Sequence, residues 1–122
     1  MAERPVVLLV DDDPSMRELL TAVFSLHGGF RIGGVAGDGL EGAMLCADVH
    51  PDVVVLDYFM PRWDGCKAAE FMRVHSPESK IIAFSAVLGD PPEWADRFLV
   101  KNHIDQLLPL VEEVLGQQTE PV

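Results

Sequence analysis

Short apolar segments alternate with longer amphipathic segments along the chain, and this alternation predicts an α/β fold. The first and third apolar segments have no polar position, which is typical of strands covered on both faces of a parallel sheet. Strands and helices joined by short connections indicate a doubly wound sheet with helices on both faces. The predicted strands are Val6–Val10, Phe30–Val35, Val53–Leu56, Lys80–Phe84 and Phe98–Val100.

Four helical patterns accompany these strands. The first helix is predicted to begin at Pro14, with Asp13 as its N-cap, and to end at His27–Gly29. Asn102 is the expected cap of the last helix. Apolar residues with helical spacing are Met16, Leu19, Leu20, Val23 and Phe24 in the first helix, Leu40, Ala43, Met44 and Ala47 in the second, Cys66, Ala69 and Met72 in the third, and Ile104, Leu107, Leu108 and Val111 in the last.

The connection between Ser85 and Phe98 is short and contains Gly89, Pro91 and Pro92. A parallel crossover usually needs a dozen or more residues including its helix. We therefore expect the fourth helix of the fold, which would lie between the fourth and fifth strands, to be shortened or irregular, with one or two turns after Pro91. Trp94 is expected to pack against the core from this connection. The alternative is an exposed Trp94 on an apolar docking patch.

The charge balance limits the possible functions. Nine Lys plus Arg against 20 Asp plus Glu give a formal net charge of −11 over 122 residues. This opposes direct nucleic-acid binding, which needs a basic surface, and it leaves room for a divalent-cation site. The length predicts one domain over residues 1–116, followed by a polar tail or the start of a linker at residues 117–122.

Cysteine usage and hydropathy indicate where in the cell the protein is expected. Cys46 and Cys66 lie in apolar surroundings without metal-binding spacing, so each predicts a buried, reduced thiol. The sequence has no signal-like start and no apolar stretch near the roughly 20 residues of a membrane span. We expect a cytoplasmic protein without membrane contact.

Carboxylates follow two of the predicted strands. Asp11 and Asp12 come after the first strand, and Asp57 comes after the third. If these strands are neighbours, as in the order 2-1-3-4-5, the three side chains converge at the carboxyl edge of the sheet. Such a cluster suits Mg²⁺, which would offset the repulsion among the acids. Ser85 and Lys101 end two further strands and offer a hydroxyl and an ammonium group to a phosphoryl group.

Four segments carry a resemblance to a known family. They are "LLVDDDPSMRELL", "PDVVVLDYFMPRWDG", "IIAFSA" and "RFLVK". In this order, over roughly Val6 to Leu115, the chain resembles the receiver domains of two-component response regulators. The resemblance implies the flavodoxin-like fold of the chemotaxis regulators, a five-stranded parallel sheet in the order 2-1-3-4-5.

The resemblance also implies a mechanism. Asp57 would accept a phosphoryl group from a histidine kinase, a histidine phosphotransfer protein or an acyl phosphate. Mg²⁺ would be held by the side chains of Asp12 and Asp57 and the carbonyl oxygen of Phe59, with Asp11 acting through water. Lys101 would pair with Asp57 and then with the phosphoryl oxygens.

Phosphorylation is then expected to act through two switch residues. Ser85 would turn toward the phosphoryl group and let Phe98 move inward. The altered surface would signal to an output domain or a partner protein, and a homodimer is possible. Phe59 and Val87 are apolar at positions that can line the path of water to the phosphoryl group. This predicts slow self-dephosphorylation, and no enzymatic activity on a separate substrate.

Two other functions stay open at the level of sequence. The first is a docking module that keeps the fold and uses its irregular fourth-helix region independently of phosphorylation. The second is a Mg²⁺-dependent phosphohydrolase with an aspartyl nucleophile. Such hydrolases usually carry a substrate-capping insertion, for which this chain has no segment of sufficient length.

Overall fold

A computed structural model of the chain describes residues 3–86 and 89–116. The predictions for Val87 and for the tail at residues 117–122 lie outside these ranges. The elements in chain order are β1 (Val6–Val10), α1 (Pro14–His27), β2 (Arg31–Ala36), α2 (Gly39–Val49), β3 (Val53–Leu56), α3 (Gly65–His75), β4 (Lys80–Ser85), β5 (Arg97–Val100), a 3-10 helix (Lys101–Gln106) and α4 (Leu107–Leu115).

The strands form one parallel sheet in the order β2-β1-β3-β4-β5, which confirms the predicted topology. In the register between β1 and β3, Val10 pairs with Leu56. Ser85 pairs with Val100 in the register between β4 and β5. The residues that directly follow β1, β3 and β5 therefore leave the sheet at the same edge.

Alternate residues of each strand point to opposite sides of the sheet, and helices cover both sides, so both faces are buried. On one face, Val7 and Leu9 of β1 pack against α1 and α4 through residues such as Phe24 and Leu110. On the other face, Leu8 and Val10 pack against α2 and α3. Within the described residues, no helix combines the length and apolar character needed to cross a membrane.

Helix α2 buries only part of the stripe that its apolar residues predict, since Ala43 is buried as predicted and Leu40 and Ala47 are half-buried. Its buried positions are Gly39, Gly42, Ala43 and Cys46, whereas Met44 is 56% exposed. A Cβ at Gly42 would lie only 2.7 Å from the Val10 side chain. The helix therefore approaches the sheet through glycines, which carry no hydrophobic signal. In α3, Ala69 and Met72 are buried as predicted, but Cys66 is only half-buried.

The connection from β4 to β5 is irregular, as predicted, but its described residues lack the expected one or two helical turns. Its described residues, Ala86 and 89–96, form bends and a turn at Glu93–Trp94 but no helix. Asp96 holds the end of the connection, because its Oδ2 accepts hydrogen bonds from the Ile81 backbone N–H (2.7 Å) and from Arg73 (3.1 Å). Trp94 is half-buried and packs against the α2–α3 side of the core, as predicted.

The segment after β5 also differs from its prediction. It begins as a 3-10 helix, and His103 departs from helical geometry with φ −105° and ψ 37°. Helix α4 then starts at Leu107 without a side-chain cap, so Asn102 does not cap it. The apolar residues Leu107 and Val111 of α4 are buried in the core as predicted.

Candidate functional site

Three aspartates meet where β1 and β3 leave the sheet. Asp11 is 1% exposed and Asp57 is 6% exposed, whereas Asp12 is exposed to solvent. One carboxylate oxygen from each residue can be chosen so that all three lie within 4.8 Å of one another. The backbone hydrogen bond from Asp57 N–H to the Val10 carbonyl (3.0 Å) continues the β1–β3 ladder into this site. The edge thus carries two buried carboxylates and one solvated carboxylate.

Lys101 reaches back from the end of β5 to both buried acids. Its Nζ lies 2.7 Å from Asp11 Oδ2 and 3.2 Å from Asp57 Oδ2, and its side chain is 15% exposed. The ammonium group offsets part of the repulsion between the two carboxylates, which would be costly without a cation at this depth. The contact to Asp11 is the shorter one, although the resemblance implied Asp57 as the partner.

The electrostatics of the site alter two pKa values. Burial and then the negative charge of Asp11 raise the pKa of Asp57, and Lys101 counters this effect only in part. For Lys101, burial works against the charged form. The hydrogen bond to Asp11 and the charges of both carboxylates outweigh it, so the pKa of Lys101 lies above its ordinary value. The charged form of Lys101 is therefore favoured, whereas the charged form of Asp57 is disfavoured relative to a free aspartate.

Backbone donors fix the orientation of the buried carboxylates. The N–H of Asp13 donates to Asp11 Oδ1 at 2.9 Å, and the N–H of Tyr58 donates to Asp57 Oδ1 at 2.8 Å. Arg17, in the first turns of α1, donates from Nη1 to the carbonyl oxygen of Asp11 at 2.8 Å. Each buried acid thus has one oxygen bound to its own loop and the other turned toward Lys101.

Asp13 has a separate role from the other two residues of the Asp11–Asp13 triplet. Its Oδ1 accepts a hydrogen bond from the N–H of Ser15 at 3.0 Å, and it is the N-cap of α1, as predicted. Asp38 and Asp64 cap α2 and α3 in the same way. These caps satisfy backbone donors at the helix ends.

The donor set fits a Mg²⁺ ion. Mg²⁺ prefers carboxylate, carbonyl and water oxygens and binds through one or two carboxylates while it keeps several waters. The close approach of the three carboxylates, together with the exposure of Asp12, supplies protein oxygens beside open solvent. Phe59, whose carbonyl oxygen is a further candidate ligand, follows Asp57 by two residues, and its ring stacks on Tyr58 with the ring centres 4.6 Å apart.

The two candidate switch residues lie beside a small apolar cavity. Ser85 ends β4 and is 3% exposed, and Phe98 is half-buried in β5. Both line a cavity of about 100 Å³ together with Tyr58, Phe59, Ala83, Gly89, Asp90 and Pro92. The cavity therefore connects the residues that follow β3 with the middle of β5.

Two contacts near the site were missed by sequence reasoning. Arg17 lies in the segment "LLVDDDPSMRELL", but the sequence does not indicate its hydrogen bond to the Asp11 carbonyl oxygen. Arg62 pairs with Asp38 at 2.7 Å, although the two residues lie 24 positions apart. The positive φ of Arg62 (67°) has no local sequence signal, since glycine or asparagine usually marks this conformation.

Comparison with known proteins identifies the family. The family model of the response regulator receiver domain matches residues 7–108. The probable C4-dicarboxylate response regulator DctR of Bacillus subtilis is 36% identical over 102 residues, which are 84% of this chain and 44% of that protein. The chain spans less than half the length of the curated relatives it matches.

Solved structures agree with this assignment. The receiver domain of the putative response regulator NarL from Mycobacterium tuberculosis is 28% identical, with a TM-score of 0.83 over 96% of this chain and all of that chain. TrrA from Thermotoga maritima, solved in complex with Mg²⁺ and BeF, is 30% identical, with a TM-score of 0.79 over 90% of this chain and 98% of that chain. With its parallel sheet, its acidic cluster and the family match over residues 7–108, this chain belongs to the response regulator receiver domains.

Proposed function

We propose that Asp57 accepts a phosphoryl group and that the chain acts as a phosphorylation-dependent signalling domain. The observation that carries this proposal is the arrangement around Asp57: a buried carboxylate with one oxygen bound to the Tyr58 N–H and the other 3.2 Å from Lys101, beside Asp11 and Asp12. A carboxylate fixed in this way can approach phosphorus along one direction, so positioning supplies much of the rate.

In the proposed step, an oxygen of Asp57 forms a bond to phosphorus and the donor's bond to phosphorus breaks. With a phosphohistidine donor from a histidine kinase or a histidine phosphotransfer protein, the broken bond is P–N and the imidazole keeps the electron pair. With an acyl phosphate, the broken bond is P–O and a carboxylate leaves. Lys101 moves its positive charge toward the phosphoryl oxygens, where it stabilises the added negative charge.

Mg²⁺ would be held by Asp12, Asp57 and the Phe59 carbonyl, with Asp11 acting through water, and it would supply positive charge against the anionic phosphoryl group. Residues of the chain itself would position the reacting groups. Asp11 keeps Lys101 in the site, and the backbone N–H of Tyr58 keeps Asp57 oriented.

Signal output is proposed to start at Ser85. Its hydroxyl turns to the phosphoryl group, and Phe98 moves into the space beside it. The receiving partner is either an output domain of the same polypeptide, as the greater length of the relatives suggests, or a separate protein. A homodimer of phosphorylated chains is a further form of output.

The docking function without phosphorylation is less well supported. It would require Trp94 on an exposed apolar patch, but Trp94 packs against the core and its ring meets Tyr58 edge-on at 5.7 Å. The Trp94 side chain therefore packs the short β4–β5 connection against the core.

The test is incubation with acetyl phosphate and Mg²⁺, followed by intact mass measurement. We expect one phosphoryl adduct on the chain and none on Asp57→Asn. If neither acetyl phosphate nor a phosphorylated histidine kinase produces an adduct, the proposal is wrong. Continuous hydrolysis of a phosphate ester in trans would instead identify a hydrolase.

A further inference from the structure

An ion pair joins two loops at the carboxyl edge of the sheet. Arg62 lies in the β3–α3 loop and donates from Nη2 (2.7 Å) and Nε (3.1 Å) to Oδ2 of Asp38, which lies in the β2–α2 turn. The other oxygen of Asp38 accepts from the Glu41 N–H at 2.8 Å as the N-cap of α2. Asp38 is therefore fixed to a helix end and provides a rigid anchor for Arg62.

The backbone of Arg62 supports this interpretation. Its φ of 67° lies in the left-handed region, which residues with a side chain rarely occupy. The surroundings must therefore stabilise this conformation. The two hydrogen bonds from Arg62 to Asp38 Oδ2 are such a stabilising interaction, and the hydrogen bond from Arg62 holds the pKa of Asp38 below its usual range.

A second contact joins the same loops. The backbone of Gly39 packs so closely on Trp63 that a Cβ at position 39 would clash with the Trp63 carbonyl oxygen. The two ends of the β3–α3 loop are fixed as well, since the Gly65 N–H donates to the Tyr58 carbonyl at 2.7 Å and Asp64 caps α3. The part of the loop between these ends includes Phe59, and its middle is held through Arg62 and Trp63.

We propose that the Asp38–Arg62 ion pair is a latch that holds the β3–α3 loop in the conformation that binds Mg²⁺, and thereby sets Mg²⁺ affinity without contacting the ion. This inference rests on the proposed Mg²⁺ site. Asp38 and Arg62 lie outside the acidic cluster of Asp11, Asp12 and Asp57, so they act as positioning residues. Groups that orient metal ligands from behind are a known determinant of affinity.

The sign of one mutation separates the latch from simple electrostatics. Arg62→Gly removes a positive charge near an acidic site, which by Coulomb attraction alone would strengthen Mg²⁺ binding. Glycine also tolerates a φ of 67°, so the variant is expected to fold. The latch instead predicts weaker Mg²⁺ binding by Arg62→Gly, because the freed loop must become ordered when the ion binds.

The experiment is a Mg²⁺ titration of the unphosphorylated chain, followed by tryptophan fluorescence and checked by calorimetry. We expect the Kd to rise on the order of threefold in Arg62→Gly, which is below the roughly 10–100-fold effect of partners bonded directly to metal ligands. Asp38→Asn keeps a capping oxygen but loses the charge, and it should show a similar rise. The double variant should bind like Arg62→Gly, because the two residues act as one unit.

The matched control is Arg97→Ala, which removes the same charge from an exposed ion pair with Glu113 (2.6 Å). It should leave the Kd unchanged. An unchanged or lower Kd in Arg62→Gly would overturn the latch, and so would an equal rise in the control. If the unaltered chain itself binds no Mg²⁺, the proposed function fails and the latch fails with it. Binding by the unaltered chain with no effect of the variants rejects the latch alone.

Discussion

The ammonium group of Lys101 lies 2.7 Å from Asp11 and 3.2 Å from Asp57, so one lysine joins two buried carboxylates that come from different strands. Removal of Lys101 would leave two buried carboxylates without a cation, and such uncompensated charge is strongly destabilising, whereas removal of Asp57 alone would leave Lys101 paired with Asp11. The site therefore has a structural role in addition to the chemical function proposed for it. Among the described residues, Lys101 is the only one that forms an ion pair with either of these two carboxylate groups.

Lys101→Met is expected to lower the free energy of unfolding by about 3 kcal/mol in EDTA, since two carboxylates then repel each other with no cation between them. Addition of Mg²⁺ should restore more stability to this variant than to the unaltered chain. Urea unfolding monitored by circular dichroism measures both effects. Lys80→Met, at an exposed position, is the control and should change little. Equal stability of the two variants in EDTA would contradict the prediction.

Asp57→Asn is expected to stabilise the metal-free chain at neutral pH. Because the pKa of Asp57 is raised in the folded state, the folded chain keeps this proton to higher pH than the unfolded chain. The stability contributed by this group therefore falls as the pH rises from the ordinary pKa to the raised value and stays low above it. Asparagine does not titrate and avoids this loss.

Thermal unfolding in EDTA provides the measurement. The unfolding midpoint of Asp57→Asn should exceed that of the unaltered chain by about 3 °C at pH 7.5, which corresponds to roughly 0.5–1 kcal/mol in a chain of this size. The advantage should shrink as the pH is lowered toward the point where Asp57 is protonated in both states. An advantage that grows on acidification would show that the sign is wrong.

Asp12→Asn and Asp13→Asn remove the same charge from adjacent positions and should differ in effect. The first loses a proposed Mg²⁺ ligand, so Mg²⁺ binding should weaken by about tenfold or more. The second keeps a good N-cap, because asparagine caps helices as well as aspartate does. Calorimetric titration with Mg²⁺ distinguishes the two, and equal losses would show that Asp13 belongs to the metal site.

Phe59→Asn is expected to shorten the lifetime of the phosphorylated chain by about tenfold, equivalent to about 1.4 kcal/mol in the barrier. Phe59 is 61% exposed and its ring stacks on Tyr58, next to the proposed acceptor Asp57, where it would shield a phosphoryl group from water. Loss of the adduct over time, followed by intact mass, gives the lifetime. Val74→Asn, at another exposed apolar residue, is the control. A phosphorylated lifetime of only seconds in the unaltered chain would contradict the shielding role.

Asp96→Ala is expected to lower the free energy of unfolding by about 1–2 kcal/mol, because the Ile81 N–H and Arg73 lose an acceptor that holds the β4–β5 connection. Asp90→Ala, at an exposed position of the same connection, should have little effect. Urea unfolding compares the two variants. If they lose the same amount, Asp96 does not anchor the connection.

The accuracy of the sequence predictions follows from how local each signal is. The bounds of β1 and β3 agree with the predictions because every residue of these strands is apolar. The start of α1 agrees because Asp13 and Pro14 are neighbours in sequence. The predicted stripe of α2 was right at Ala43 but wrong at Met44, which is exposed, because the helix makes its closest contacts through glycines such as Gly42.

Contacts that depend on the tertiary structure left no sequence signal. The Asp38–Arg62 pair joins residues that meet only when α2 and the β3–α3 loop pack together. The kink at His103 and the late start of α4 depend on how the chain leaves β5. The convergence of Asp11 and Asp57 was predictable, because the order of parallel strands fixes which ends are neighbours.

The short connection between β4 and β5 also has a consequence for folding. Parallel strands must be brought together against the entropy of the chain that joins them, and this cost rises with the logarithm of the loop length. Residues 86–96 join β4 to β5, whereas residues 57–79 join β3 to β4. The ratio of these lengths is close to two, which corresponds to a difference of about 0.6 kcal/mol in closure entropy. Since residues 11–30 join β1 to β2, the β4–β5 pair has the shortest connection of the parallel pairs in this sheet and the smallest cost in closure entropy.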